Sequence, residues 1–134
     1  MKVHGQCHCG AIEYEADVDP ARVTICHCTD CQNLTGTAFR VTVPAAKEAF
    51  TLRRGTPKIY LKTTAESGLP RVQAFCDHCG TPIYAAAAHN AQSYGLRVGA
   101  LAERAELAPR QQKWCRSALP WSMDIAGLPR SDQE

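Results

Sequence analysis

The sequence contains no long apolar segment. Nowhere among its 134 residues does an apolar run approach the ~20 residues needed to span a bilayer, and residues 1–6 have no apolar stretch that would serve as an export signal. These absences predict a cytoplasmic protein without a membrane partner. The length predicts a single domain over residues 1–125, followed by a flexible polar tail over residues 126–134.

The sequence also has little net charge and few aromatic residues. Its formal net charge is only +2, and aromatic residues make up 7% of the chain. Nucleic-acid-binding domains usually carry a strong basic surface, and those that bind single strands use aromatic stacking platforms. The composition therefore predicts no nucleic-acid partner.

Helical signal is weak. Residues 29–34 and 45–49 each have the composition for about one helical turn, but neither segment is long enough to form a stable helix alone. Residues 85–88 are rich in alanine, yet they follow a strand-like segment and are expected to be strand running into loop. Helices are thus expected to be minor elements.

The strand signal is stronger. Ile12, Tyr14, Ala16 and Val18 alternate with acidic residues, which is the pattern of a strand with one buried face. Turn residues separate further candidate strands, expected at 23–25, 38–43, 50–53, 58–62, 71–75, 82–86, 94–98 and around Trp114. The fold class is therefore predicted to be mainly β, built from short antiparallel strands in a sandwich or open barrel.

Cysteine is the residue that this sequence has in abundance. Seven of the eight cysteines fall into three clusters, Cys7-His8-Cys9, Cys26-His27-Cys28-Thr29-Asp30-Cys31 and Cys76-Asp77-His78-Cys79. Disulfides are not expected in a reducing compartment, and Cys-x-Cys partners cannot readily bridge each other. Structural zinc sites take four thiolates, whereas catalytic sites keep three protein ligands and one open position. Four plus three thiols therefore predict two zinc ions per chain, one enclosed and one open.

The spacing favours one division of the sulfurs. Cys76-x-x-Cys79-Gly80 has the form of a zinc knuckle that supplies two ligands, and Cys7 and Cys9, also followed by glycine, complete a set of four. The three sulfurs of Cys26, Cys28 and Cys31 would then share the open ion. A second division, in which a cysteine from another cluster is the fourth ligand of the ion bound by Cys26, Cys28 and Cys31, remains open at this point.

The remaining titratable residues near the clusters are expected to be secondary. Side chains between paired ligands usually point away from the metal, so His8, His27 and His78 are expected to hydrogen bond nearby or to face solvent. Among them, His27 is the better candidate for proton transfer, because it adjoins the open site. His4 and His89 are expected at the surface, and Cys115 is expected to be a half-buried structural thiol.

Taken together, three motifs resemble the glutathione-dependent formaldehyde-activating enzyme family, which also contains centromere protein V. The motifs are Gly5-Gln6-Cys7-His8-Cys9-Gly10-Ala11-Ile12, Cys26 to Cys31 followed by Thr35-Gly36-Thr37-Ala38-Phe39, and Phe75-Cys76-Asp77-His78-Cys79-Gly80-Thr81-Pro82-Ile83. The resemblance covers residues 5–120. It implies a β-tent fold with a structural zinc on Cys7, Cys9, Cys76 and Cys79 and a catalytic zinc on Cys26, Cys28 and Cys31.

The resemblance also implies an activity, the condensation of formaldehyde with glutathione to S-hydroxymethylglutathione, which is classed as a carbon–sulfur lyase. The chain departs from the family pattern near its C-terminus. Gly99-Ala100-Leu101-Ala102 stands where the family commonly has Gly-x-Leu-Asp, and Gln112 stands where a histidine is frequent. These departures leave the cysteine motifs intact and affect the choice of substrate.

Two hypotheses follow. In the first, the open zinc binds a small thiol such as glutathione as a thiolate and orients it toward a small aldehyde. Basic residues would form ion pairs with the glutathione carboxylates. The candidates for that pairing are Arg40, Arg53, Arg54, Lys58 and Arg71, although basic residues on strands more often form a solvated face. In the second hypothesis, the protein is a non-catalytic binding module whose zinc ions are architectural.

Large aromatic residues near the motifs are expected to be structural. A tryptophan near the end of a small β domain usually packs the last strand on the core, so Trp114 and Trp121 are expected to be buried. Phe39 and Phe75 are expected to form the apolar wall beside the sulfurs. Each would contribute roughly 3–5 kcal/mol to stability if it were fully buried.

Overall fold

A computed structural model describes residues 1–134 and shows a mainly antiparallel β protein, which confirms the predicted fold class. None of its helices combines the length and hydrophobicity needed to cross a membrane. The strands are β1 (Lys2–Gln6), β2 (Glu13–Val18), β3 (Thr24–Cys26), β4 (Arg40–Arg54), β5 (Lys58–Lys62), β6 (Arg71–Phe75), β7 (Pro82–Ala87), β8 (Ser93–Arg97) and β9 (Gln111–Lys113). Helix α1 spans Thr29–Thr35, and short 3-10 turns cover Pro20–Arg22, Val98–Ala100, Arg104–Glu106 and Cys115–Ser117.

The long strand β4 organises the sheet. The strand order is β1-β2-β4-β8-β7-β6-β5, and β3 pairs with β4 at the side, with β9 parallel to β3. The first half of β4 pairs with β3 and β8, and its second half pairs with β2. This arrangement brings the end of β3, where Cys26 lies, next to the middle of the sheet.

The expected helical turn at residues 45–49 is wrong. These residues belong to β4, where Ala45 pairs with Tyr94 of β8 and with Val18 of β2. Alanine favours helix by less than about 1 kcal/mol per residue, and strand partners on both sides outweigh that preference. The two strands predicted at 38–43 and 50–53 are consequently one continuous strand.

Other local predictions agree better with the structure. Tyr14, Ala16 and Val18 are buried on one face of β2, as their alternation predicts. The turn predicted at 29–34 is helix α1, which ends at Gly36 in the left-handed conformation with φ 67°. The alanines after Pro82 are strand up to Ala87, whereas β1 was missed because its sequence is mostly polar.

The hydrophobic core reaches the sulfur clusters. Its fully buried side chains include Val3, Val43, Ile83 and Leu96, and Cys7 and Cys76 belong to the same packed group. Beside it lies an aromatic cluster in which Phe50 contacts three tyrosine rings at centroid distances of 5.0 to 5.6 Å. Two of the predicted ligands are therefore part of the packed core.

Candidate metal centres and the cavity beside Cys28

Four cysteine sulfurs from both ends of the sheet meet at one point. The Sγ atoms of Cys7, Cys9, Cys76 and Cys79 all lie within 4.8 Å of one another. The Cys7–Cys9 separation is 3.6 Å, and the Cys9–Cys76 separation is 3.8 Å. Sulfurs held at about 2.3 Å around a tetrahedral zinc ion would lie about 3.8 Å apart, so this donor set fits zinc.

Two turns of the same form present these sulfurs. In one turn the Gly80 N–H donates to Cys76 O and the Cys76 N–H donates to Thr81 O. In the other, the N–H groups of Gly10 and Cys7 donate to Cys7 O and Ile12 O. Both glycines have positive φ, 80° at Gly10 and 76° at Gly80, which residues with a side chain rarely adopt.

The turns also direct hydrogen-bond donors at the sulfurs. The Ile12 N–H donates to Cys7 Sγ at 3.2 Å, and Thr81 Oγ1 lies 3.1 Å from Cys79 Sγ. The hydrogen bonds from the Thr81 hydroxyl and backbone lower the pKa of Cys79 to about 5. These donors favour the thiolate form that a metal ion requires.

Three cysteines form a second, separate cluster around the start of α1. Cys26 ends β3, Cys28 caps the N-terminus of α1, and Cys31 lies in its first turn, with all three Sγ atoms within 4.8 Å. The hydrogen bond from the Cys31 thiol is the main reason that the pKa of Cys26 falls to about 5, and the charge of Arg40 adds to it. No histidine, aspartate, glutamate or fourth cysteine places a ligand atom in this group.

The structure therefore separates the seven sulfurs as four and three. The alternative division, in which Cys26, Cys28 and Cys31 take a fourth cysteine from another cluster, is not the arrangement observed. Both groups consist of thiols alone, a donor type that suits zinc. The three-sulfur group leaves one tetrahedral position for another ligand. That the two groups bind zinc remains a prediction.

The histidines beside the cysteines stay outside both groups. His27 is fully buried, and its Nε2 lies 2.8 Å from Oε1 of Gln112 on β9. Its ring packs edge-on against Phe39 at 5.6 Å. This burial gives His27 no direct path for exchanging a proton with solvent. His8 and His78 are exposed, and so are His4 and His89, as expected.

A cavity of about 490 Å³ opens beside the three-sulfur group. Cys28 lines it, together with side chains from α1, from residues 62–71 and from the segment after β9. Two of its cations have acidic partners, because Lys62 pairs with Asp30 at 3.0 Å and Arg116 pairs with Glu66 at 2.7 Å. Arg71, the third cation, has no acidic partner.

The other basic residues considered as carboxylate ligands lie elsewhere. Arg53 and Arg54 are on the surface, paired with Glu15 and Glu13 respectively. Lys58 is exposed on β5, and Arg40 is buried. Of the five candidates, only Arg71 lines the cavity that Cys28 reaches. Lys62 and Arg116 were missed, because nothing in the sequence brings their loops to Cys28.

The expected burial of the tryptophans is wrong. Trp114 is 41% exposed and Trp121 is 58% exposed. Strand β9 ends before Trp114, which adopts a left-handed backbone conformation and turns its ring into the cavity wall, with the Arg116 guanidinium 4.9 Å from the ring centroid. Cys115, expected to be half-buried, is exposed.

Phe39 and Phe75 do not enclose the sulfurs completely. Both side chains are only half-buried. The loss of stability on truncation to alanine should therefore fall below the roughly 3–5 kcal/mol of a fully buried phenylalanine.

Comparison with known proteins identifies the sequence pattern and supports the fold. A family profile described as "Glutathione-dependent formaldehyde-activating enzyme" matches residues 2–117. A crystal structure of a Rhodobacter sphaeroides protein superposes with a TM-score of 0.63 at 24% sequence identity, covering 84% of this chain and 99% of the other. At that identity the second match shows a shared fold and carries no functional information.

Proposed function

Because the chain belongs to the glutathione-dependent formaldehyde-activating enzyme family, we propose that it adds a small thiol, glutathione, to an aldehyde such as formaldehyde. In this reaction the thiol sulfur forms a bond to the carbonyl carbon, and the carbon–oxygen π bond breaks. The thiol proton leaves and a proton is taken up on oxygen, which gives S-hydroxymethylglutathione. The reverse reaction is that of a carbon–sulfur lyase, and the cytoplasm is the proposed location.

The observation that carries this proposal is the unequal division of the sulfurs. Cys26, Cys28 and Cys31 provide three ligands beside an open cavity, whereas the other four cysteines form a complete set. A zinc ion bound by the three thiolates would lower the pKa of an incoming thiol and polarise the aldehyde oxygen. Cys28 is the ligand that lines the cavity and so marks the side from which a substrate would arrive.

The cavity has groups suited to a charged peptide thiol. The Arg71 guanidinium has no acidic partner and is available to pair with a glutathione carboxylate. The exposed Trp114 ring offers an apolar wall for the peptide chain. We therefore assign Arg71 to substrate binding and the three cysteines to the catalytic centre.

The four-sulfur group is proposed to be structural. Cys7 and Cys9 lie in the turn between β1 and β2, and Cys76 and Cys79 lie in the turn between β6 and β7. A zinc ion shared by the two turns would tie together segments about 70 residues apart in sequence, which substitutes for part of the core in a small domain.

Calorimetry on the zinc-loaded protein tests thiol binding. We expect strong binding heat from glutathione and only a weak response from S-methylglutathione, which lacks the thiol but keeps both carboxylates for Arg71. Cys28→Ser should abolish the response, and Cys115→Ser, which changes an exposed cysteine outside both groups, should leave it intact. Equal heats from the two ligands would refute the role of the open position.

A non-catalytic binding module is the second candidate, and one observation favours it. The histidine beside the three-sulfur group is buried and bonded to Gln112. The two carboxylates of the cavity, Asp30 and Glu66, are paired with Lys62 and Arg116, so no unpaired carboxylate or histidine faces the site. An assay that adds ¹³C-formaldehyde to protein and glutathione, and follows formation of the adduct, distinguishes the two functions. Acceleration of adduct formation above the uncatalysed rate supports the enzyme, and no acceleration by the wild type supports the module.

A further inference from the structure

Two buried arginines lie near the three-sulfur group without an aspartate or glutamate partner. Arg40 on β4 is 6% exposed and Arg97 on β8 is 8% exposed. The only protein acceptor for either guanidinium is the amide oxygen of Gln73, at 3.1 Å from Arg40 Nη1 and 2.8 Å from Arg97 Nη2. Two positive charges thus converge on one neutral oxygen.

The strand register places this pair on the same face of the sheet as Cys26. Cys26 pairs with Arg40 across β3 and β4, and paired residues of neighbouring strands point to the same side. Arg97 pairs with Thr42, two residues after Arg40 and therefore also on that side. Neither guanidinium donates to a cysteine sulfur, so the pair does not serve as a hydrogen-bond donor to the metal ligands.

The buried charges are incompletely satisfied. The Nε atoms of Arg40 and Arg97 are buried and have no hydrogen-bond partner. Burial, followed by the charge of Arg40, lowers the pKa of Arg97 to about 9, so the Arg97 side chain stays protonated at neutral pH. Removing two cations from water costs several kcal/mol, and an anion hydrogen-bonded to both would offset that cost beyond the through-space attraction of the Cys26 thiolate.

The arginines also face open space. They line a cavity of about 320 Å³ whose other walls include Leu34, Tyr60 and Phe75. They line a second cavity of about 360 Å³ on the side of Phe39. A ligand entering either cavity would meet largely apolar walls and two cationic groups at the inner end.

We propose that Arg40 and Arg97, both hydrogen-bonded to Gln73, bind the carboxylate of a small organic acid whose carbon chain lies against Phe75. A planar guanidinium matches a carboxylate in two parallel hydrogen bonds, and an apolar wall favours a carbon chain over an inorganic anion. This site is independent of the proposed function, since it holds whether or not the three-sulfur group is catalytic.

The test uses the metal-loaded full chain and the Arg Nε–H signals in ¹⁵N NMR spectra. Titration with butyrate should shift the signals of Arg40 and Arg97, and butyramide, which has the same shape without the charge, should not. Arg97→Gln should weaken butyrate binding by about tenfold or more, the loss expected for a charge-assisted hydrogen bond. Arg130→Gln, an exposed change of the same charge, should have no effect.

Gln73→Glu provides an independent check if Arg97→Gln does not fold. A glutamate at this position places a carboxylate between the two guanidiniums, so it should raise the melting temperature and abolish butyrate binding. Three results would overturn the proposal: no shift of the two arginine signals with butyrate, unchanged butyrate affinity in Gln73→Glu, or an equal response to sulfate.

Discussion

The imidazole Nε2 of His27 donates a hydrogen bond to the side-chain Oε1 of Gln112 at 2.8 Å, joining the residue after β3 to the middle of β9. The donation fixes the proton on Nε2 and leaves Nδ1 buried without a partner. His27 stands between Cys26 and Cys28 in the chain. Gln112 therefore holds the backbone that presents two of the three open-site sulfurs.

Replacing Gln112 by leucine should weaken this part of the sheet. The buried His27 N–H would lose its acceptor, and we expect the free energy of unfolding to fall by about 1–3 kcal/mol. Gln111→Leu, at the exposed neighbouring position, is the matched control and should change it little. Urea unfolding measures both. Equal effects of the two substitutions would show that the hydrogen bond contributes nothing.

Loss of a cysteine from each sulfur group should have different consequences. Cys79→Ser and Cys28→Ser should each lower the metal content by one ion per chain, because each removes a ligand from its own group. Only Cys79→Ser should lower the melting temperature strongly, since it removes the metal link between the β1–β2 turn and the β6–β7 turn. Cys115→Ser should match the wild type. Metal content is measured by mass spectrometry and stability by thermal unfolding. If both variants lost the same metal ion and the same stability, the two sulfur groups would not be separate sites.

Gly5 is expected to tolerate no side chain. A Cβ atom at this position would overlap the ring of Tyr14, which is only 2% exposed and packed in the hydrophobic core. Gly5→Ala should therefore destabilise the protein by about 1–3 kcal/mol, the usual cost of overpacking. Gly95→Ala, where the new atom would meet its neighbour at 3.6 Å, is the control strand glycine. Denaturant unfolding would contradict this account if the two variants were equally stable.

The Tyr14 hydroxyl should make stability depend on alkaline pH. Burial raises the pKa of Tyr14 well above its ordinary value of 10. The unfolded state therefore ionises first, so the stability present below about pH 10 is lost as the pH rises toward the folded-state pKa.

Tyr14→Phe isolates this effect. The hydroxyl has no hydrogen-bond partner, so the variant should be at least as stable as wild type at neutral pH. Above about pH 10 its advantage should grow by up to about 1.4 kcal/mol per pH unit. Urea unfolding at several pH values measures the difference in unfolding free energy between Tyr14→Phe and the wild type. If this difference did not change with pH, the Tyr14 hydroxyl would not be the source of the pH dependence.

The sequence predicted the fold class and favoured one division of the cysteines, because both inferences depend on local patterns. The alternation from Ile12 to Val18 and the spacing within each cysteine cluster are visible over a few residues. Whether a fourth cysteine joins Cys26, Cys28 and Cys31 depends on distances between separate turns, which the sequence does not contain. The structure was needed to separate the groups.

The failures have the same origin. Residues 45–49 look helical in isolation and become strand because β2 and β8 lie on either side. Trp114 was expected in the core because of its size, but β9 ends one residue earlier and the left-handed turn directs its ring to the cavity. The shared contact of Arg40 and Arg97 with Gln73 had no signal in the sequence, because it joins three separate strands.

The unequal coordination of two zinc ions is the central claim, and an anomalous-difference map at the zinc edge from crystals of freshly purified protein tests it most directly. We expect two peaks per chain, one surrounded by Cys7, Cys9, Cys76 and Cys79 and the other by Cys26, Cys28 and Cys31 with a fourth ligand from outside the chain. A single peak, or a second ion saturated by four protein side chains, would contradict the account.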